Sequence, residues 1–266
     1  MHDHGGGPWE ILLPLAGVAL LMAAYLVLAA RAWRRTGVRS GDRNRALSFL
    51  LGCVLLGVAL LPPVASFAHH DFRGHMLQHL LIGMYAPIAL VLGAPITVAL
   101  RALPTVAARR LTGLLHTRLI RYLAHPVTAL LLSTGTMAAL YLTPLYTVAT
   151  EHPVLHGIVH VHFLLSGALF AWAVAGPDPA PGRPGVPARL VVLGVAITAH
   201  AVVSQLMYGG FLVDVPVPVA QLRGAGEIMY YGGDIAELLL AAALVTTWRP
   251  ARKRAVFGSL ACDHIS

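Results

Sequence analysis

The chain has 266 residues, 57% of them hydrophobic and only 11% charged, with a net charge of +8. A mean hydropathy of +0.73 excludes a soluble globular domain and leaves a polytopic, all-α membrane protein. In a soluble protein such a basic balance would suggest nucleic acid; here it is first a matter of membrane topology, and no nucleic-acid partner is expected.

The N-terminal stretch MHDHGGGPWE has no Lys or Arg ahead of the apolar run 11–30. It lacks the basic start of a signal peptide, so the run is read as a retained first span. Six arginines follow between Arg31 and Arg45, which marks that loop as cytoplasmic and puts the N-terminus outside. A second span is predicted over 46–65, leading at Pro62–Pro63 into an outer loop with His69, His70, Asp71 and Arg73.

The third span, 75–100, lies in a stretch with no charged residue between Arg73 and Arg101. As a helix it is long enough to cross a ~30 Å hydrocarbon core. It opens with His75 and His79, whose i, i+4 spacing puts them on one face, with Met76 beside them. Pro87 and Pro95 predict bends. Leucines at helical spacing and Arg109, Arg110, Arg118 and Arg121 over 103–125 predict a basic amphipathic helix on the anionic inner leaflet, with membrane lipids as partners.

Further spans are predicted at 126–146, 153–175, 190–208 and 227–248, with a Pro-rich inner loop at 176–189 and an outer loop at 209–226. The result is one seven-helix transmembrane domain over 1–266, its C-terminus cytoplasmic. Of 19 Lys and Arg, 17 fall in the inner segments and only Arg73 and Arg223 outside. Cys53 and Cys262 form no CxxC and no disulfide framework.

This orientation gathers polar residues at the outer end. His75 and His79 meet a second i, i+4 pair, His156 and His160, while His200 lies about nine residues inward on the sixth span. Asp234 and Glu237 are the charges well inside a span, and such residues are functional-site hypotheses by default. Imidazole suits copper or zinc, and nearby thioethers from Met76 and Met207 narrow the choice to copper as Cu(I), with zinc second. Asp234 either ligates or orients a ligating imidazole, and Glu237 is read as a proton carrier. His160 and His162, two apart, cannot easily share a centre. The loop histidines His2, His4, His69 and His70 are read as solvated, with metal collection as the alternative.

The blocks HMLQHLLIGMYAPIALVLGAPITVALRALP, LHGIVHVHFLLSGALFAWAVAGPDPAP, AHAVVSQLMY and MYYGGDIAELLLAAALVTTW resemble, in this order, those of the caa3-type cytochrome c oxidase assembly factors, the CtaG membrane family. The resemblance implies a seven-helix protein of the bacterial plasma membrane needed for maturation of a haem–copper oxidase. It carries over His75, His79, His156, His160, His200 and Asp234 as intramembrane polar residues. With the ligand types, this gives a non-enzymatic metallochaperone that hands copper to a cytochrome c oxidase subunit; the oligomeric state is left open. Two rivals are a zinc-dependent intramembrane hydrolase with Glu237 as general base and a haem-binding redox protein with His79 and His160 as axial ligands.

Overall fold

The computed structural model describes residues 9–248, with side chains described from Leu12 onward. The expectations for His2, His4, Cys262 and the basic C-terminal stretch lie outside the described residues. All regular structure among the described residues is helical. Six runs are long and apolar enough to cross a membrane: Leu12–Thr36, Asp42–Leu60, Phe72–Ala102, Pro153–Ala175, Val186–Gly209 and Val219–Thr246. A seventh is formed if Pro126–Leu142 and Leu145–Glu151, which meet at 85°, count as one broken span.

Helix α1 (Trp9–Thr36) packs along α2 (Asp42–Leu60), where Tyr25 stacks on Phe49 at 3.8 Å. The second span ends at Leu60 rather than near residue 65, because Pro62 and Pro63 force a restart as α3 (Pro62–His70). His69 and His70 therefore sit on a short helix, not in a loop. The third span is built from α4 (Phe72–Leu80), a π-helical segment (Leu81–Tyr85), α5 (Ala86–Leu92) and α6 (Pro95–Ala102).

Both expected proline effects are present, each with its own geometry. Pro87 has no N–H to give to the carbonyl of Gly83, and the helix widens to π register just before it. A Cβ at Gly167 would collide with that Gly83 carbonyl, so only glycine lets the facing helix come this close. At Pro95 the chain breaks outright: Ala94 takes a left-handed φ of 52°, and α6 starts afresh. The buried Asp178 carboxylate caps the new start, accepting from Ile96 N at 2.9 Å and Thr97 N at 2.7 Å.

The amphipathic segment is two helices, α7 (Thr105–Leu115) and α8 (Arg118–Leu123). The broken span follows as α9 (Pro126–Leu130), a second π segment (Leu131–Gly135), α10 (Thr136–Leu142) and α11 (Leu145–Glu151). His162 accounts for this π segment, since its Nε2 reaches Leu132 O at 3.1 Å and Thr136 Oγ1 at 3.0 Å. It thus turns away from His160. Helices α12 (Pro153–Ala175), α13 (Val186–Gly209) and α14 (Val219–Thr246) complete the bundle.

Contacts across the bundle place the helix ends on two sides. At one, which we term the arginine end, Arg101 holds the buried Asp42 at 2.8 and 3.0 Å. There too Arg183 and Arg189 donate to the carbonyls of Trp172, Val174 and Gly176 that close α12. The other, the histidine end, carries α3, α11 and the first turns of α4, α12 and α14.

Candidate functional site

Helix α4 is started by Asp71, which accepts from the Arg73 backbone at 2.9 Å. The same carboxylate pairs with the Arg73 guanidinium at 2.5 Å, and these hydrogen bonds hold it below the usual carboxylate range. A second tie fixes the helix laterally, as Phe72 N donates to Gln221 Oε1 of α14 at 3.1 Å. The clamped first turn turns His75 and His79 into the bundle, where each is only 6% exposed.

His75 lies parallel to Phe72, with ring centroids 5.7 Å apart, and edge-on to Tyr146 at 5.1 Å. Its Nε2 stands 3.4 Å from the Tyr141 hydroxyl. From α12, His156 comes within 6.3 Å of His75 between centroids, and within α12 the His156 and His160 rings are 4.4 Å apart. His69 of α3 adds an exposed ring 6.2 Å from His156. The imidazoles thus form a series from exposed His69, through half-buried His156 and His160, to buried His75.

His79 is one turn deeper, edge-on to Phe163 at 4.4 Å and Tyr141 at 5.9 Å. With His200 and Glu237 it lines a cavity whose water-sized space is about 60 Å³. That is room for roughly four waters at ~10–15 Å³ each. Both π segments border it, through Gly83 and Met84 on one side and Ser133 and Thr134 on the other. Within it, His200 Nδ1 is 3.7 Å from Glu237 Oε1. His200 Nε2 and Glu237 Oε2 are buried and have no hydrogen-bond partner among the described residues. Buried groups of this kind demand one, so the cavity calls for water or a ligand.

The residues singled out from the sequence therefore divide. His75, His156 and His160 come together at the histidine end, and His79 and His200 meet at the cavity. Met76 and Met207 are fully buried in one apolar cluster with Phe72, Tyr141 and Met229. Asp234 is half-buried and makes no side-chain hydrogen bond or ion pair among the described residues; the carboxylate beside an imidazole is Glu237. Because α14 begins at Val219 rather than near 227, Asp234 lies fifteen residues into the helix, about 22 Å along its axis.

Among the described residues, no three of His, Cys, Asp and Glu stand close enough to hold one metal ion; the imidazoles meet in pairs. One participant escaped the sequence reading. Tyr141 is fully buried between His75 and His79; its signal was a tyrosine in an apolar span, which must find a polar neighbour. His69, expected as a solvated loop histidine with metal collection as the alternative, is instead brought beside His156 by α3, whose sign in the sequence is the Pro-Pro start.

The family model described as cytochrome c oxidase caa3 assembly factor matches residues 23–251. An uncharacterized protein of Mycobacterium bovis and one of Mycobacterium tuberculosis are each 31% identical over 259 residues, 90% of this chain. An uncharacterized protein of Mycobacterium leprae is 28% identical over 200 residues, covering 73% of this chain and 30% of its own length. The chain spans about two fifths of the length of the first two relatives, 39% in each case. No solved structure matches the chain. With most of its length covered by that model, this all-helical, multi-pass membrane protein belongs to the caa3-type cytochrome c oxidase assembly factor family.

Proposed function

We propose that the chain carries Cu(I) as cargo at its histidine end and passes it by ligand exchange to a subunit of the haem–copper cytochrome c oxidase. The observation that carries this reading is the approach of His75 and His156 from separate helices to 6.3 Å between centroids. One ion at ~2.0–2.1 Å from a nitrogen of each ring would put two imidazole centroids about 5–6 Å apart, so a small ring adjustment admits it. Pairs of neutral imidazoles with thioethers nearby suit a soft monovalent ion, and a carrier is served better by few ligands than by a closed cage. His69 and His160 flank the pair and offer successive partners for exchange, while His79, His200 and Glu237 lie beyond it. The distribution of basic residues supports a histidine end facing out of the bacterial plasma membrane. The reading requires no turnover.

Metal analysis of protein purified from copper-supplemented cells tests it, with a Cu(I) chelator titration of the His75→Ala/His156→Ala double variant. The parent should retain copper and the double variant should lose it while remaining extractable. Equal retention removes this site. Stoichiometric zinc, with a hydrolytic turnover lost in Glu237→Gln, would replace the reading with a zinc-dependent hydrolase.

A further inference from the structure

The arginine end carries a surface that the copper reading does not use. Several of its cations are engaged: Arg101 by Asp42, Arg35 by the Ala102 carbonyl, and Arg183 and Arg189 by the end of α12. Those of α7 and α8 differ. Arg109, Arg110, Arg118 and Arg121 are exposed, and among the described residues none makes a side-chain hydrogen bond or ion pair. No Asp or Glu occurs in the sequence between Asp71 and Glu151 to neutralise them.

Two of these four line a groove. Arg118 and Arg121, three apart on α8, share a face. With Tyr122 and His125 they form the basic end of a groove that continues past Val127 and Thr128 to Leu131. Val127 and Leu131 are 44% and 65% exposed at the start of the broken span, where the chain leaves the interface. The loop after α12 crosses the Arg121 stem: a Cβ at Gly182 would lie 3.6 Å from Arg121 Cγ. That stem is braced by the loop, and the Arg121 side chain lines the groove while remaining exposed. The groove therefore changes from cationic to apolar along one direction, as a phospholipid does from headgroup to chain.

We propose that the groove between α8 and α9 binds one anionic glycerophospholipid, its phosphate held by Arg118 and Arg121 and an acyl chain lying along Val127 and Leu131. Guanidinium forks suit phosphate oxygens, and the aromatic Tyr122 suits the interface. A free phosphate would use the basic end alone.

The full chain is released for native mass spectrometry from micelles holding phosphatidylglycerol and phosphatidylcholine in equal amounts. The parent should retain phosphatidylglycerol selectively, and Arg118→Gln/Arg121→Gln should cut that retention about 10–30-fold. Arg109→Gln/Arg110→Gln, equal in charge removed but outside the groove, should leave it unchanged. Leu131→Gln, which keeps every arginine, should also weaken retention. Soluble dihexanoyl phosphatidylglycerol should displace the lipid at concentrations where glycerol phosphate does not. Equal retention of the two lipids, equal loss in both arginine pairs, retention unaffected by Leu131→Gln, or displacement by glycerol phosphate as readily as by the short-chain lipid overturns the proposal.

Discussion

Replacing Gly233 by Ala tests the cavity geometry directly. The new Cβ would overlap Cε1 and Nδ1 of His200 and lie 3.0 Å from its Nε2, whereas ordinary contact between heavy atoms begins near ~3.5 Å. His200 is 3% exposed, so the ring has no free surface to turn towards. Nor can α13 and α14 part easily, since a Cβ at Gly226 would already lie 2.9 Å from Tyr208 N and 3.0 Å from Ser204 O. The ring must therefore swing into the cavity and leave Glu237, or the helices must separate. Overpacking of this kind costs ~1–3 kcal/mol. The assay is the thermal unfolding midpoint in detergent, with two neighbours as references. At Gly232 a Cβ would meet mainly the mobile end of Leu80, with Cδ1 at 2.5 Å, and at Gly57 nothing within 4 Å. Gly57→Ala should match or exceed the parent, by up to ~1 kcal/mol, Gly232→Ala should fall slightly, and Gly233→Ala should fall most. A Gly233→Ala protein as stable as Gly232→Ala would mean that His200 does not pack against α14 as described.

Three further outcomes are expected. Asp178→Ala should lower the unfolding midpoint by the equivalent of ~0.5–2 kcal/mol, because Ile96 and Thr97 lose their cap; an unchanged midpoint would show that α6 does not depend on it. In a Cys262→Ser background, Asp214→Cys should react with an impermeant thiol reagent on whole cells and Ser40→Cys should not, and the reverse would invert the proposed orientation. Glu237→Gln and Asp234→Asn should both leave Cu(I) affinity at the His75–His156 pair nearly unchanged, since Glu237 faces His200 and Asp234 has no side-chain partner among the described residues; a chelator titration in which either variant weakens it ~10–100-fold, as loss of a group orienting a ligand does, would put that carboxylate at the copper site.

The spans and their alternation were legible because the hydropathy and the arginine blocks are both strong signals. What eluded the pattern is where helices break without leaving their path. Pro87 and Pro95 look alike in the sequence, yet one widens a turn and the other ends a helix. The difference lies in Asp178, 83 positions beyond Pro95 in the sequence, which satisfies the restarted helix. The π segment at 131–135 has no proline and is set by His162 from another helix. The i, i+4 spacing placed His75 with His79 correctly on one face, but a face is not a centre. One turn of separation is enough for Tyr141 to stand between the two rings and send them to different neighbours. Asp234 enters through the resemblance, whereas the carboxylate that faces an imidazole, Glu237, is set by the packing of α14 on α13, which no spacing in the sequence shows.

The distribution of rigid and yielding parts bears on how cargo would be released. At the arginine end, charges meet the backbone groups left over where helices stop: Asp178 at the start of α6, and Arg183 and Arg189 at the close of α12. Such pairings complement the helix dipoles and resist motion. Around the cavity the opposite holds, for it is bordered by two π segments, where the intrahelical register has already shifted by one residue. If copper moves between imidazole pairs, each step needs one ring to turn while its neighbour holds. A turn in π register can return to α register over a short distance without unravelling the helix, and this would shift residues next to His79 on one side and next to His162 on the other. If copper is carried there, the two π segments beside the cavity, rather than the capped ends of α6 and α12, are where the helices would yield.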